Sequence, residues 1–158
     1  MTERDSYFMQ KAISLARKGA DSNSGGPFGA VIVKDDVIVG KGYNKVTSTN
    51  DPTAHAEIVA IKEACEKLNS FQLENCVIYT SCEPCPMCLG AIYWARLKKV
   101  FYACNREDAS IINFDDQIIY DELKKPIDDR QIAFINLMRQ EALSVFKEWS
   151  NKPDKIDY

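Results

Sequence analysis

The sequence of 158 residues has one histidine and no long hydrophobic run. No apolar stretch approaches the roughly 20 residues that a membrane-spanning helix needs. The first residues show neither the basic segment nor the apolar segment of a secretion signal. Hydrophobic residues make up 46% of the chain and charged residues 27%, which is typical of a globular protein rather than a disordered one. We therefore expect a cytoplasmic protein with a single domain over residues 1–158.

The sequence also lacks a surplus of basic residues, and its net charge is −3. Residues 1–104 carry 12 basic and 11 acidic side chains, whereas residues 105–158 carry 8 and 12. Nucleic-acid-binding proteins usually present a basic stripe or patch to the phosphates. This charge distribution disfavours nucleic acid as a substrate.

Six cysteines would allow three disulfides in a secreted chain, but no secretion signal is present. Reduced thiols and metal ligation are therefore the expected use of these residues. We predict that Cys65, Cys76 and Cys104 are core thiols. Cys82 is expected to end a strand and to pack as a small apolar residue.

Hydrophobic periodicity and turn residues predict the order α-β-β-α-β-α-β for the first two thirds of the chain. Residues 35–36 separate two apolar strands and predict a β-hairpin, and Thr53 is expected to cap the second helix. This order predicts a three-layer α/β/α sandwich around a mixed sheet. The predicted elements are helix 6–17, strands 28–34 and 37–43, helix 54–68, strand 76–80, helix 86–95, strand 100–103, short helical pieces in 105–131, helix 141–149 and an extended tail 150–158.

The lone histidine lies in His55-Ala56-Glu57, and Pro84-Cys85-Pro86-Met87-Cys88 follows downstream. This pattern resembles the signature of the zinc-dependent nucleobase deaminases. One imidazole and two thiolates would leave the fourth tetrahedral position of Zn²⁺ open for water or hydroxide, as in catalytic zinc sites. The predicted elements place His55 in the first turn of one helix, and Cys85 and Cys88 near the start of another.

Glu57 is the candidate catalytic residue of this pattern. Positions i and i+2 of a regular helix point in different directions, so His55 and Glu57 can share a site only at a helix end. There the carboxylate could take a proton from water and deliver it to a departing nitrogen, a role typically worth about 10²–10⁴ in rate.

Other interpretations of the cysteines remain open. Cys85 and Cys88 could form a redox dithiol, although this would leave the His-Ala-Glu motif unexplained. Cys82, Cys85 and Cys88 imitate an iron–sulfur run, but the position of a fourth ligand is Ile92. A closed structural zinc site with Cys82 as the fourth ligand is a further possibility.

Longer stretches around these motifs resemble the cytidine-deaminase-like superfamily, and within it the bacterial guanine deaminases. The resemblance covers nearly the full length and is least clear over residues 126–150. It implies a sheet of five strands. The stretches that carry it are residues 25–34 (GGPFGAVIVK), 51–57 (DPTAHAE), 79–96 (YTSCEPCPMCLGAIYWAR), 114–116 (FDD) and the final tyrosine.

The resemblance implies hydrolysis of guanine to xanthine and ammonia, with one Zn²⁺ per chain held by His55, Cys85 and Cys88. It also implies a homodimer in which a C-terminal segment, from about residue 139 to 158, is exchanged between subunits. Phe28 would stack on the purine, Asn44 would hydrogen-bond its edge, Asp116 would accept from its N–H groups, and Tyr158 would close the pocket of the other subunit. The full set of implied substrate contacts is Phe28, Asn44, Ala56, Asp116 and Tyr158.

Three other functions stay open at this point. The tRNA adenosine deaminases share the zinc motifs but tend to end in a basic helix, whereas residues 151–158 are roughly neutral. A deaminase of cytosine or another small heterocycle would use the same chemistry. A module with structural zinc that only binds a partner is the non-enzymatic alternative, and it would have no use for Glu57.

Overall fold

In a computed structural model of the chain, which describes residues 2–157, the backbone divides into two units. The first unit ends at Asp116 and the second begins at Gln117. The elements of the first unit are α1 (Glu3–Asp21), β1 (Gly29–Lys34), β2 (Val37–Tyr43), α2 (Val46–Thr49), α3 (Ala56–Leu68), β3 (Val77–Cys82), α4 (Pro86–Trp94), β4 (Lys99–Cys104) and α5 (Arg106–Ile111).

The sheet is mixed, as predicted, but residues 2–157 form four strands and not five. Its strand order is β2-β1-β3-β4, with β1 antiparallel to both β2 and β3, and with β3 parallel to β4. The prediction of a fifth strand is therefore wrong for the described residues. The apolar segment at 133–138 is exposed and lies outside any helix or strand. A strand requires ladder hydrogen bonds to a neighbour, and no described residue after β4 makes them.

The predicted β-hairpin is confirmed, and its turn explains its geometry. Asp35 and Asp36 both adopt left-handed backbone conformations, with φ of 47° and 64°. Two residues of this kind form the tight turn whose twist matches that of the flanking strands. The strand β2 then carries Gly42 beneath the start of α3, where a Cβ atom would collide with the carbonyl oxygen of Ala56. This glycine therefore allows α3 to lie close against the sheet.

Helices cover both faces of the sheet, which agrees with the predicted three layers. The helix α1 packs on one face, and α3 and α4 pack on the other. The cluster on the first face consists of Phe8, Ala12, Val31, Val33 and Tyr79. The cluster on the second face includes Ala30, Ile32, Ile78, Ala56, Ala60, Ala64 and Ile92. Side chains that alternate along β1 and β3 thus separate into two apolar layers.

The start of α3 differs from the prediction in one respect, because His55 and not Thr53 occupies the N-cap position. The backbone N–H and the hydroxyl of Thr53 both donate to Oδ1 of Asp51, at 2.8 and 2.6 Å. These bonds form a local turn that competes with helix capping. As a consequence, His55 lies at the N-cap position of α3 and not inside its first turn.

The second unit contains α6 (Gln117–Lys124), a 3-10 turn (Ile127–Asp129) and α7 (Arg139–Asn151). The last helix is longer than the predicted 141–149, so the predicted extended tail begins after Asn151. None of the residues described between 117 and 157 is buried. Among residues 2–157, no helix has both the length and the hydropathy that crossing a bilayer would require.

All six cysteines are free thiols, as expected. Cys76 is buried, Cys65 is half-buried, and Cys82 is buried at the end of β3. Cys104, which was predicted to be a core thiol, is exposed. It ends β4, whose residues after Phe101 are exposed, so that an apolar sequence pattern there does not produce a buried side chain.

Candidate metal centre and its cavity

His55, Cys85 and Cys88 converge at one point of the first unit. The Nδ1 atom of His55 lies 3.6 Å from Sγ of Cys85 and 3.5 Å from Sγ of Cys88, and the three ligand atoms all lie within 4.8 Å of one another. Zinc bonds of about 2.1 Å to nitrogen and about 2.3 Å to sulfur would place tetrahedral N and S ligands about 3.6 Å apart. These side chains therefore fit the ligand set and spacing of a zinc ion.

Two helix N-termini bring the ligands together. His55 is the N-cap residue of α3 and Cys85 is the N-cap residue of α4, and neither side chain caps its own helix. The ring and the thiol are thus available to a ligand. Pro86 follows as the first residue of α4, a position where the missing N–H costs little. Cys88 lies in the same first turn, where its hydrogen bond with Cys85 and its burial raise the pKa of its thiol.

The charge state of Cys85 suits a cation. A hydrogen bond from Cys88, assisted by the His55 ring, lowers the pKa of the Cys85 thiol to about 4. The Cys85 thiol in turn is the main cause of the raised pKa of His55, which burial opposes. A metal ion would replace protons on these side chains, because ligands bind metal in their deprotonated forms.

Glu57 lies beside the ligands, in the first turn of α3, and its side chain is buried. Its Oε1 accepts a hydrogen bond of 3.0 Å from the Thr80 hydroxyl, and its Oε2 accepts one of 3.4 Å from the Cys88 thiol. Burial raises the pKa of Glu57, although both hydrogen bonds act in the opposite direction. Since the penalty of charge in a desolvated site exceeds the gain from these donors, Glu57 can hold a proton in conditions where an exposed glutamate cannot.

A cavity of about 780 Å³ opens onto this cluster, a volume typical of small-molecule sites. Six of the predicted site residues line it, namely Phe28, Asn44, His55, Glu57, Cys85 and Asp116. Cys88 is buried next to the cavity, and Ala56 is buried in the core between α3 and the sheet. Tyr158 lies outside the described residues.

Two aromatic rings form part of the cavity wall. Phe28 and Phe114 meet edge to face, with ring centroids 4.9 Å apart and an angle of 86° between the planes. Gly26 approaches both rings so closely that a Cβ atom there would lie 2.7 Å from Phe114 and 2.8 Å from Phe28. This glycine therefore leaves the space in which the two rings are seated.

Asn44 is buried, and its carboxamide is held in place from both sides. Its Oδ1 accepts a hydrogen bond of 3.1 Å from the backbone N–H of Val46. Gly25 lies against the same oxygen, at a distance where any side chain would collide with it. The oxygen is thus engaged, and the amino group is the donor that Asn44 can offer to a ligand.

Asp116 supplies a carboxylate to the same cavity. Burial raises its pKa, and the negative charge of Cys85 raises it further, whereas Arg106 lowers it. A partly desolvated carboxylate is a strong hydrogen-bond acceptor for N–H groups. The cavity therefore combines an aromatic wall, one amide donor and one charged acceptor with the metal-binding cluster.

Sequence reasoning missed Glu83 and Arg106, which also line the cavity. The Glu83 carboxylate accepts a hydrogen bond of 3.3 Å from the backbone N–H of Arg106, and its own N–H donates to the Cys104 carbonyl at 2.8 Å. Asn105 forms a capping box with Asp108, and the Asn-x-x-Asp pattern could have located this helix start. No local signal indicates that Glu83, in the loop before α4, would contact the start of α5.

Cys82 lines the cavity but is not part of the three-residue metal cluster. Its thiol donates to the Asn105 carbonyl at 3.5 Å, and burial raises its pKa to about 11. A protonated thiol engaged with a carbonyl is a poor metal ligand. This arrangement disfavours the closed structural site that the sequence left open.

Comparison with known proteins agrees with this geometry. Residues 2–104 match the family model described as the cytidine and deoxycytidylate deaminase zinc-binding region. A guanine deaminase of Bacillus subtilis (strain 168) is 54% identical over 96% of this chain and 97% of its own length. A tRNA-specific adenosine deaminase of Aquifex aeolicus (strain VF5) is 34% identical over 92% and 93%, respectively.

Similarity extends to three-dimensional structure. The crystal structure of guanine deaminase from Bacillus subtilis superposes with a TM-score of 0.95 at 52% identity, covering 100% of this chain and 99% of that one. The family model accounts for the residues that carry the His-Ala-Glu and Pro-Cys-x-x-Cys motifs. The chain therefore belongs to the zinc-dependent deaminases of the cytidine and deoxycytidylate deaminase family.

Proposed function

We propose that this protein is a guanine deaminase, which converts guanine and water into xanthine and ammonia. The observation that carries the proposal is the cavity itself, where the metal-binding cluster and Glu57 face Phe28, Asn44 and Asp116. The similarity to a guanine deaminase over nearly the whole of both chains supports this substrate over the other bases that the family accepts.

His55, Cys85 and Cys88 would hold one Zn²⁺ per chain, in keeping with their 3.5–3.6 Å spacing. When bound, zinc supplies the Lewis acidity that makes a water nucleophilic near neutral pH. The nucleophile is directed at the carbon of guanine that bears the exocyclic amino group. Oxygen is added at that carbon, and the amino group leaves as ammonia.

Glu57 moves the protons that this exchange requires. Its Oε2 lies on the side of Cys88, where the carboxylate can accept a proton from the water and deliver it first to a ring nitrogen and then to the amino group. Because burial raises the pKa of Glu57, the protonated carboxyl is a stable intermediate form between these transfers.

Three side chains would bind and orient the base. Phe28 offers its face to the purine ring, and the amino group of Asn44 can donate to a ring acceptor. Asp116 accepts from the N–H groups along the amino edge of guanine, with the added strength of a charged acceptor. A base that lacks donors on that edge would leave the Asp116 carboxylate unpaired, which is costly in a partly buried site.

We also propose that the protein is a homodimer in which a C-terminal segment, from about residue 139 to 158, is exchanged between the two subunits. The second unit exposes large apolar side chains, and none of its described residues is buried. Patches of this kind mark contact surfaces. In this arrangement the partner subunit's Tyr158 would close the cavity over the bound base. The most exposed apolar residues of the second unit are Ile132, Ile135, Leu137, Phe146 and Ile156.

Ammonia release by the purified, zinc-loaded protein tests the proposed reaction. Guanine, adenine, cytosine and a tRNA anticodon arm are incubated separately, and the ultraviolet change from guanine to xanthine is followed in parallel. Turnover of guanine with one ammonia released for each xanthine formed is the expected result. Turnover of the tRNA or of cytosine without turnover of guanine would contradict the substrate assignment while leaving the deaminase chemistry in place.

A further inference from the structure

Thr80 is a polar residue in an otherwise apolar row. It lies in β3, between Ile78 and Cys82 on the face that carries α3, and it is only 1% exposed. Its backbone pairs with Ala30 of β1 on one side and with Tyr102 of β4 on the other. Position 80 therefore lies in an interior strand of the sheet, with a neighbouring strand on each side.

Burial of the Thr80 hydroxyl carries a free-energy penalty of desolvation that a methyl group in the same place would not carry. Burying a hydroxyl without a partner is unfavourable by about 1–3 kcal/mol in proteins. Valine has the same shape and suits a β-strand equally well. The hydroxyl is accounted for by its hydrogen bond of 3.0 Å to Oε1 of Glu57.

We propose that Thr80 is a positioning residue, which fixes Oε1 of Glu57 against the sheet and so turns Oε2 toward the metal-binding side chains. The proposal deepens the proposed function and rests on it. The two oxygens are held differently, since Oε1 meets a strand and Oε2 meets Cys88 at 3.4 Å. The Thr80 hydroxyl is carried by a strand that is paired on both sides, so it is a donor in a fixed position.

Orientation of this carboxylate matters because its proton transfers require short, aligned contacts. A glutamate side chain has several torsions, and each has more than one staggered arrangement. Without Thr80, Oε1 would have lost its side-chain donor, and the carboxylate could turn away from the reacting atoms. Displacement of a catalytic group by about 1 Å can cost about 10²-fold in rate.

Matched substitutions at neighbouring hydroxyls test the proposal. Thr80→Val keeps the shape and removes the hydroxyl, and Thr80→Ser restores the hydroxyl. Ser81 lies next in β3 on the opposite face, where its Oγ accepts from the Gly29 N–H at 3.0 Å, so Ser81→Ala is a control for loss of a buried hydroxyl. Each protein is assayed for kcat and KM with guanine, for zinc content and for melting temperature.

We expect Thr80→Val to lower kcat about 10–100-fold and to change KM by no more than about twofold, since orientation rather than binding is lost. Zinc content should stay at one per chain. Thr80→Ser should regain most of the wild-type kcat, and Ser81→Ala should keep it. A Thr80→Val kcat within about twofold of wild type, or an equal loss in Thr80→Ser, would overturn the proposal.

Crystal structures of the zinc-loaded wild type and Thr80→Val provide a readout that does not depend on the substrate. The Glu57 carboxylate should occupy one orientation in the wild type and should be displaced or divided between orientations in the variant. An unchanged carboxylate in Thr80→Val would refute the positioning role, whichever base the enzyme accepts. Failure of the wild type to deaminate guanine would instead count against the proposed substrate.

Discussion

The rings of Phe28 and Phe114 meet edge to face, with 4.9 Å between centroids and 86° between planes. This arrangement is one of the preferred geometries for aromatic pairs and is worth about 0.5–1.5 kcal/mol beyond simple burial. Phe28 immediately precedes β1, whereas Phe114 follows α5. Two distant segments thus hold one ring in a fixed orientation at the cavity wall, as a surface for stacking a planar base requires.

Replacement of Phe28 by leucine should raise KM for guanine about tenfold, because stacking of a base on an aromatic ring is worth about 1–3 kcal/mol. Leucine retains the apolar bulk that packs against the core below. We expect kcat to fall less than KM rises, as measured by steady-state xanthine formation. Equal KM values for Phe28→Leu and wild type, in proteins of similar melting temperature, would argue against a stacking role.

Substitution of Glu57 by glutamine should lower kcat by about 10²–10⁴, because the amide cannot accept and return the proton of the water. Glutamine has nearly the same shape, so the fold and the zinc content should not change. Turnover and metal analysis on the same preparation test both expectations. If the zinc-loaded variant retained wild-type turnover, another group would have to be the proton carrier.

Replacement of single cysteines by serine should distinguish the metal-binding cysteines from the others. Cys85→Ser is expected to lose most of its zinc and its activity, since an alkoxide is not formed at neutral pH and a neutral hydroxyl is a weak ligand. Cys104→Ser is the matched control, because Cys104 is exposed and outside the cluster. Zinc per chain is measured by atomic spectroscopy after gel filtration. Equal zinc content in the two variants would contradict the ligand assignment.

The contact between Tyr79 and Asp5 should make stability depend on pH in the alkaline range. The Tyr79 hydroxyl donates to Asp5 at 2.8 Å, and burial together with this bond raises the pKa of Tyr79 from 10 to about 12. The unfolded chain therefore loses the phenol proton at lower pH than the folded one. The contact between Tyr79 and Asp5 therefore contributes fully to stability below pH 10, and this contribution is lost as the pH rises toward 12.

Thermal unfolding at a series of pH values tests this linkage in the wild type and in Tyr79→Phe. The variant should be less stable by about 0.5–1.5 kcal/mol at neutral pH, because it lacks the hydrogen bond. Between pH 10 and 12 its melting temperature should fall less steeply than that of the wild type. Parallel curves for the two proteins throughout this range would show that Tyr79 does not titrate as inferred.

The proposed dimer predicts a particle of twice the 17.9 kDa chain mass. Ile135→Glu should shift the protein toward the monomer, since a charge would replace an apolar side chain that is 85% exposed in the single chain. Val37→Glu is the control, because Val37 is also exposed but lies at the hairpin of the first unit. Light scattering after gel filtration measures the mass. A wild-type monomer at micromolar concentration would refute the dimer.

Local signals predicted most elements of the first unit correctly. The hairpin of β1 and β2, the helices α3 and α4, and the order of elements follow from periodicity and turn residues. Prediction of α3 was wrong at its first residue, since Asp51 engages Thr53. The expectation of a buried Cys104 was also wrong, because burial depends on neighbours that a local pattern does not specify. The fifth strand, which the resemblance and not a local pattern implied, does not form among residues 2–157.

The sequence by itself determined the chemistry of the site. One imidazole, two thiols and a carboxylate in these spacings are the ligands and the proton carrier of a catalytic zinc site. Only the tertiary structure decided which other side chains join them. Phe28, Asn44, Thr80 and Asp116 lie in separate segments, and it is strand order and helix packing that bring them within reach of Glu57. Such contacts depend on long-range packing, which short-range sequence patterns do not encode.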